Sequence, residues 1–441
     1  MPYPSSPFAE NINGLILENQ SKHKTNNENE KIQNELYLKE LLGWLCTSPQ
    51  LTSIRVNKSA FKLEDIRKLV EKIVDKGKVE VHPNFPDLLL LHHPDKASCP
   101  HLVKESNEVV VDVNGATAIL RGAHVFAPGV IGMLQGAKVN DRVSIFADIE
   151  GKCKKGFATV YQSPGKLFIA NGTIKMNREQ LFGLNLVPSG IAIEVTERIS
   201  HCPSINESLF PVGSTLLQNI PSVICVHALK VRPELTILDM CAAPGNKTTH
   251  ISTLMQHKGI LVAVDKTPSK VKRLEETCRR YGANALVFQA DATKILVTDG
   301  HDADVSRGPP FQTETFDRIL LDVPCSALGK RPQLSSRVTE AVLKSYVPLQ
   351  RKLFHTAVPL LKKDGYLVYS TCTITLAENE AMVAWALRTF GDLRLVKPDP
   401  TLGGPGLFGT TLSETERLYV QRFGPNNVDS VGFFYALFIK V

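Results

Sequence analysis

The chain has 441 residues, a formal net charge of +7 and nine cysteines. That length accommodates two or three domains with sizeable cores, and the mildly basic balance suits an anionic partner without requiring one. The cysteines form no C-x-x-C pair and no Cys/His metal spacing, no apolar run approaches a membrane span, and the N-terminus lacks a signal-peptide layout, so reduced thiols, no metal, no membrane partner and a cytoplasmic address are expected.

Residues 1 to about 35 are polar, rich in Asn, Lys and Glu, and are expected to be disordered or frayed. Helical patterns follow at Glu35–Trp44 and Phe61–Lys76, with strand-like pieces at Thr52–Asn57 and Leu88–Leu91. Residues 1–107 therefore read as a small mixed α/β unit. From Glu108 short β-type runs alternate with glycine turns: Val109–Val113, Ala118–Gly122, Arg142–Phe146 and Gly156–Val160. This spacing, over 108–203, predicts a small barrel or sandwich. From 204 to 441 strands alternate with helices. The strands are Leu235–Met240, Gly259–Asp265, Ala285–Ala290, Arg318–Asp322 and Gly365–Tyr369, and helices include Lys270–Tyr281 and Ala341–Leu361. That order predicts a doubly wound α/β sheet, with Val297–Thr315 as a surface loop.

Ligands of such sheets bind at the carboxyl ends of the strands. The first strand there runs into Cys241-Ala242-Ala243-Pro244-Gly245-Asn246-Lys247, whose small residues allow close backbone approach and whose following helix N-terminus favours negative charge. Twenty residues after Gly245, Asp265 ends the second strand, where a carboxylate can accept both hydroxyls of a ribose. Asp291 follows the third, in position to meet an adenine edge. Singly, these aspartates are equally good as turn caps; together and in order they describe a nucleoside-type cofactor site. Two later strands each deliver a cysteine, Cys325 and Cys372, to the same edge, where a nearby cation such as Lys247 would favour a thiolate. Asp322, three residues before Cys325, adds a carboxyl group able to donate or accept a proton. Cys46, Cys99, Cys202, Cys225 and Cys278 read instead as small core residues.

The runs Asp239–Thr248, Asp322-Val323-Pro324-Cys325-Ser326, Tyr369-Ser370-Thr371-Cys372-Thr373 and Ile374–Glu380 together resemble the Nop/Sun RNA (cytosine-5) methyltransferases, over most of 204–441. Leu120–Gly129 and Gly151-Lys152-Cys153-Lys154-Lys155-Gly156 look like a PUA domain, an RNA-binding β-barrel whose presence ahead of the catalytic sheet marks the sixth subfamily. The resemblance implies a Rossmann-like methyltransferase sheet, an inserted PUA barrel and S-adenosyl-L-methionine as cofactor, held by Cys241–Lys247, Asp265, Lys270, Asp291 and Asp322. It implies a tRNA with an intact 3′-CCA end as partner and a cytosine near the 3′ end of the acceptor stem as target, with the protein a monomer.

It also assigns roles. Cys372 would attack C6 of the base, making C5 nucleophilic; Asp322 would hydrogen-bond the N3 side of the ring; Lys247 would orient the base and stabilise the thiolate; Cys325 would take part in release. Arg121, Phe126, Lys152, Lys154 and Lys155 would bind the RNA, the lysines through phosphates. Asn246 stands where the family usually has a second glycine, Val323 and Ala327 replace smaller residues of its Asp-Ala-Pro-Cys-Ser-Gly run, and Phe126 replaces a tyrosine. The other expectations for the same residues are a methyltransferase for rRNA or mRNA hairpins and a catalytically inactive RNA-binding protein; the intact Asp322/Cys325/Cys372 set argues against the second.

Overall fold

The computed structural model describes residues 3–18, 28–74, 78–94, 102–184, 187–297 and 304–441. In chain order the first part holds α1 (Glu10–Ile16), α2 (Glu28–Cys46), β1 (Leu51–Val56), α3 (Leu63–Ile73), β2 (Lys78–Val81) and β3 (Leu88–His92). These strands form an antiparallel sheet with order β10-β1-β3-β2, in which β10 is Thr215–Leu217, from beyond residue 203. The small α/β unit is present, closed by a strand contributed from the far side of the middle part.

That middle part holds β4 (Glu108–Val111), α4 (Val113–Leu120), β5 (Val125–Phe126), β6 (Val130–Met133), β7 (Arg142–Asp148), β8 (Lys166–Ile174), α5 (Arg178–Phe182) and β9 (Ile191–Arg198). The sheet order is β5-β9-β8-β7-β4-β6. Its two edge strands, β5 and β6, are joined by one turn over Ala127–Gly129, so the sheet must curl round its core. Two expected strands are not strands. Ala118–Gly122 lies mostly in α4, because Asp112 accepts from the Gly115 backbone N–H at 2.6 Å and so starts a helix ahead of Val113. Gly156–Val160 makes only a single bridge, between Phe157 and Gly132.

The third part carries α6 (Ile220–Ala228), β11 (Thr236–Asp239), α7 (Asn246–Leu254), β12 (Ile260–Asp265), α8 (Pro268–Tyr281), β13 (Leu286–Gln289), β14 (Leu296–Val297), β15 (Phe311–Gln312), β16 (Phe316–Asp322), α9 (Glu340–Leu360), β17 (Leu361–Thr371), α10 (Glu380–Thr389), β18 (Leu393–Val396), α11 (Glu414–Tyr419), β19 (Gln421–Phe423) and β20 (Phe433–Lys440). The main sheet runs β13-β12-β11-β16-β17-β20-β18, with the first five strands parallel and β20 antiparallel between β17 and β18. The expected Val297–Thr315 loop includes β15, whose Phe311 is buried, pinning the segment to the core.

The strands read as continuous apolar runs because both faces are covered. Alternate residues still part cleanly. Leu238, Val262, Leu321 and Tyr369 pack with Phe354 and Met382 from α9 and α10. Ile237, Leu261, Leu320 and Val368 pack with Ile224 and Ile251 from α6 and α7 on the other face. The chain steps outward from β11 through β12 to β13 and then returns to β16 on the opposite side of β11. The crevice at that reversal, at the carboxyl ends of β11 and β16, is where doubly wound sheets take their ligands.

The polar N-terminus is more ordered than its composition implies. Phe8, Ile12 and Ile16 are buried with Leu41 and Leu45 of α2 against Leu328, Leu343 and Ile374. The backbone N–H of Leu376 donates to the Ile16 carbonyl at 2.8 Å. Residues 19–27, and Cys99, lie outside the described residues.

Candidate active site

At the end of β11 the chain turns through Cys241–Gly245 into α7. Gly245 has φ +105°, and a Cβ there would lie 3.0 Å from Leu274, so glycine is required for both reasons. Asn246 is the first residue of α7 and is absent from the left-handed positions, so it replaces glycine without backbone strain. Ala242 is buried and Cys241, Ala243 and Asn246 are half-buried, while Pro244 is exposed. Asp265, buried at the end of β12, accepts the Ala243 backbone N–H at 3.2 Å and that of Lys266 at 2.8 Å. It therefore ties the β11 loop to the β12 end. Lys270 is exposed in the first turn of α8 and its charge acts on Cys241. Asp291 caps the turn Ala292–Lys294 through Thr293 and pairs with Lys266 at 2.9 Å. Hydrogen bonds from Lys266 and Thr293 hold its carboxyl down at about 2. Glycine-shaped backbone, small residues and a buried strand-end carboxylate fit a cofactor carrying a ribose, with Asp265 and the Cys241–Asn246 loop as its holders.

On the other side of β11, Asp322 ends β16 and pairs in register with Ser370 of β17. The Ser370 hydroxyl donates to Asp322 Oδ1 at 2.6 Å, and Lys247 Nζ reaches Asp322 Oδ2 at 2.6 Å. Burial alone would lower the Lys247 pKa, but the charge and hydrogen bond of Asp322, with Cys225 and Cys372 beside it, together outweigh burial and raise it, so the ammonium persists. The same register explains the cysteines. Cys325 lies three residues past Asp322 and Cys372 two past Ser370, on neighbouring strand ends, and their sulfurs are 3.4 Å apart. A hydrogen bond between them is the main cause of their divergence: it raises the Cys325 pKa well above that of a free thiol and lowers that of Cys372. Lys247 and Lys330 also favour the Cys372 thiolate. Cys325 S–H thus donates to a Cys372 sulfur poised as a nucleophile. Lys247, Asp322, Cys325 and Cys372 come together as one cluster beside the β11 loop. Cys46, Cys202 and Cys278 are buried elsewhere, and Cys225 is a buried core thiol packed beneath the cluster, beside Ser370 and Lys247.

Several residues given no role from the sequence complete the site. Ser370 orients Asp322. Glu378, quoted only as part of a motif, accepts hydrogen bonds from Ser326, Thr375 and Gln350. Asp239 accepts from the Thr248 hydroxyl at 2.7 Å, and burial pushes its carboxyl up to about 7. Asp87, His227 and His250 also meet at metal-ligand spacing, although they come from three separate elements and no sequence spacing reveals them. His227 Nε2 lies 2.9 Å from Asp87 Oδ1 and His250 Nε2 2.7 Å from Oδ2. Burial opposes ionisation of Asp87, but these two hydrogen bonds prevail and hold it far below the carboxylate range. An ionised carboxylate only accepts, so both Nε2 atoms carry hydrogens and serve as donors.

The RNA candidates all sit on the middle part. Arg121 is exposed at the end of α4, and Phe126, on β5, is 55% exposed. Lys152, Lys154 and Lys155 are exposed on the loop after β7, with Lys152 paired to Glu150 at 3.0 Å. That loop faces the catalytic part: a Cβ on Gly151 would come within 2.5 Å of the Arg337 guanidinium.

The sequence model of the 16S rRNA methyltransferase RsmB/F family matches residues 226–439. A Mus musculus protein named tRNA (cytosine(72)-C(5))-methyltransferase NSUN6 is 38% identical over 471 aligned positions, covering 99% of this chain and 97% of its own length. A tRNA (cytosine(72)-C(5))-methyltransferase of Pyrococcus horikoshii is 31% identical over 76% of this chain and 75% of its own. The crystal structure of NSun6 from Pyrococcus horikoshii with SFG superposes with a TM-score of 0.76 at 26% identity, covering 99% of this chain and all of that one. The chain belongs to the Nop/Sun, or RsmB/F, family of S-adenosylmethionine-dependent RNA (cytosine-5) methyltransferases.

Proposed function

We propose that this enzyme methylates C5 of a cytosine near the 3′ end of a tRNA acceptor stem through a covalent bond between Cys372 and C6 of the base. The observation that carries the chemistry is the 3.4 Å pair of thiols with divergent ionisation beside Lys247 and Asp322. The tRNA substrate is supported by near-full-length identity to a relative named for that activity.

Cytosine C5 is a poor nucleophile. Attack of the Cys372 thiolate on C6 forms a C–S bond and moves the ring's electron pair toward C5. Asp322, at the N3 side of the ring, supports that redistribution, and Lys247 holds Asp322 in place. When bound, S-adenosylmethionine would supply an electrophilic methyl group; C5 takes it as the methyl–sulfur bond breaks and the sulfonium leaves as a neutral thioether. The C5 proton then passes to Cys325, the C5–C6 double bond re-forms and the C6–S pair returns to Cys372. Before attack, Cys325 is kept protonated chiefly by its hydrogen bond to Cys372. Once that sulfur is bonded to carbon it is no thiolate acceptor, and Cys325 gives its own proton to solvent before taking the one from C5. Loss of the hydrogen bond to Cys372 favours that ionisation, against the burial and the Glu378 charge that still oppose it. A paired base cannot be reached at C6, so the target cytosine must be unstacked. The middle part, read as a PUA domain, would hold the 3′-CCA end with Arg121, Phe126 and the Lys152–Lys155 loop.

The roles of the thiols separate on a denaturing gel. With tRNA and S-adenosylmethionine, Cys325→Ala is expected to attack C6 and stall, giving a slow protein–RNA band. Cys372→Ala is expected to give no band and no product. The reverse pattern would exchange the roles, and no band from either folded, RNA-binding variant would remove the covalent step.

A further inference from the structure

We propose that Glu378 is a positioning residue that fastens the loop bearing Cys325 to the loop bearing Cys372, and so sets the distance between the two thiols. The inference rests on the release role given above to Cys325.

Both cysteines lie beyond the ends of their strands, where no ladder hydrogen bonds fix them. Among the described residues, Glu378 is the side chain that ties the two loops most densely. Its Oε2 accepts the Ser326 backbone N–H at 3.0 Å, immediately after Cys325. Its Oε1 accepts the Ser326 hydroxyl at 2.5 Å and the Thr375 hydroxyl, in the Cys372 loop, at 2.9 Å. Gln350 of α9 donates to Oε2 at 3.0 Å and to the Pro324 carbonyl at 3.1 Å, just before Cys325. The Ser326 and Thr373 hydroxyls lie 2.6 Å apart, a second stitch between the residues following each cysteine. Glu378 is itself anchored, because the Tyr369 hydroxyl of β17 donates to its carbonyl at 2.6 Å.

Such a carboxylate is more than packing. It is 1% exposed, and every neighbour bonded to it is a donor. Four donors converge on two acceptor oxygens, the two N–H groups on Oε2 and the two hydroxyls on Oε1; a glutamine could keep the N–H pair on its carbonyl only by reversing the Ser326 and Thr375 hydroxyls into acceptors and giving up the charge. Burying so polar a group is costly unless its partners are fixed. Here the partners are the chain on either side of Cys325. The carboxylate's charge also disfavours the Cys325 thiolate, reinforcing which sulfur attacks first.

Glu378→Gln and Ser326→Ala test the assignment, with Cys325→Ala as control, using S-adenosylmethionine and a tRNA transcript ending in CCA. Glu378→Gln is expected to lower kcat about tenfold or more, leaving the tRNA KM within about threefold and cofactor affinity unchanged, because the defect is in thiol geometry. It should accumulate covalent protein–RNA on a denaturing gel, as Cys325→Ala does, and Ser326→Ala should do so to a smaller extent. Glu378→Asp, which keeps the charge, should recover part of the rate. The assignment is overturned if the folded variants turn over like wild type, or slow down without accumulating adduct, while Cys325→Ala accumulates it. If Glu378→Gln does not fold, Ser326→Ala alone decides. If Cys325→Ala gives no adduct, it is the release role of Cys325 that falls, and the Glu378 assignment falls with it.

Discussion

Ala327 carries φ +54°, a left-handed conformation that costs a residue with a Cβ about 1–2 kcal/mol. It is the position at which the family's run has glycine. The substitution has kept the backbone and accepted the strain, two residues past Cys325. Ala327→Gly should therefore raise stability by up to about 1 kcal/mol, whereas alanine to glycine in an ordinary loop lowers it. A higher melting temperature in differential scanning calorimetry is expected; a lower one would show that the loop is relaxed as it stands. Asn246 is the opposite case. There Gly245 takes the left-handed conformation and Asn246 simply begins α7. The cysteines, Asp322, Lys247 and Asp265 were legible because chemistry at strand ends has a residue signature. Ser370 and Glu378 were not, because a serine or glutamate that orients another group has no signature until its partner is located.

At the scale of elements, short apolar runs between turns were enough to find the five parallel strands, and helical patterns the helices between them. It failed where local chemistry competed. Ala118–Gly122 opens on an apolar run that suits a strand, yet the Asp112 cap makes it the end of a helix. β8, β9 and β20 went unread; β20 is continuously apolar because it is buried between β17 and β18, a non-local pairing that a linear scan does not register. The N-terminal helices are the largest surprise, since their polar surface hides a short apolar stripe. Ile16 and Ile12 pack in one cluster with Leu328 and Ile374, which lie within three residues of Cys325 and Cys372 respectively. Ile16→Ala should cost about 2–5 kcal/mol of local packing. It should lower kcat while leaving cofactor affinity intact, because α1 supports the cysteine loops and does not touch the β11 loop. Isothermal titration with S-adenosylmethionine, alongside turnover, checks both; a loss of cofactor binding equal to the loss of rate would mean that the helix supports the whole domain.

Across the whole molecule, buried polar contacts join the parts. Arg55 of β1 donates to Thr249 of α7 at 2.8 Å, Asn57 to the carbonyls of Gly213 and Tyr281, and Asp87 receives His227 and His250. Burial, with the Arg55 charge adding to it, pushes His250 down to about 3. An unfolded histidine binds its proton near pH 6.5, so between about pH 6.5 and 3 the unfolded state holds more protons and the folded state loses stability as pH falls, by up to about 1.4 kcal/mol per unit. His250→Gln cannot titrate. Chemical denaturation from pH 7 to 5 should show the wild type losing stability relative to this variant; parallel curves would mean that His250 is protonated in the fold. The same assembly brings Gly151, in the lysine-bearing loop after β7, against Arg337 of the catalytic part.

The central claim is the methylation of one cytosine near the 3′ end of a tRNA by Cys372. Bisulfite sequencing of tRNA incubated with S-adenosylmethionine and the protein tests it most directly. Wild type should leave one acceptor-stem cytosine near the 3′ end unconverted, Cys372→Ala should leave none, and tRNA trimmed of its CCA end should convert fully. A tRNA that converts fully with active wild-type enzyme, while 16S rRNA in the same reaction acquires a protected cytosine, would contradict the account.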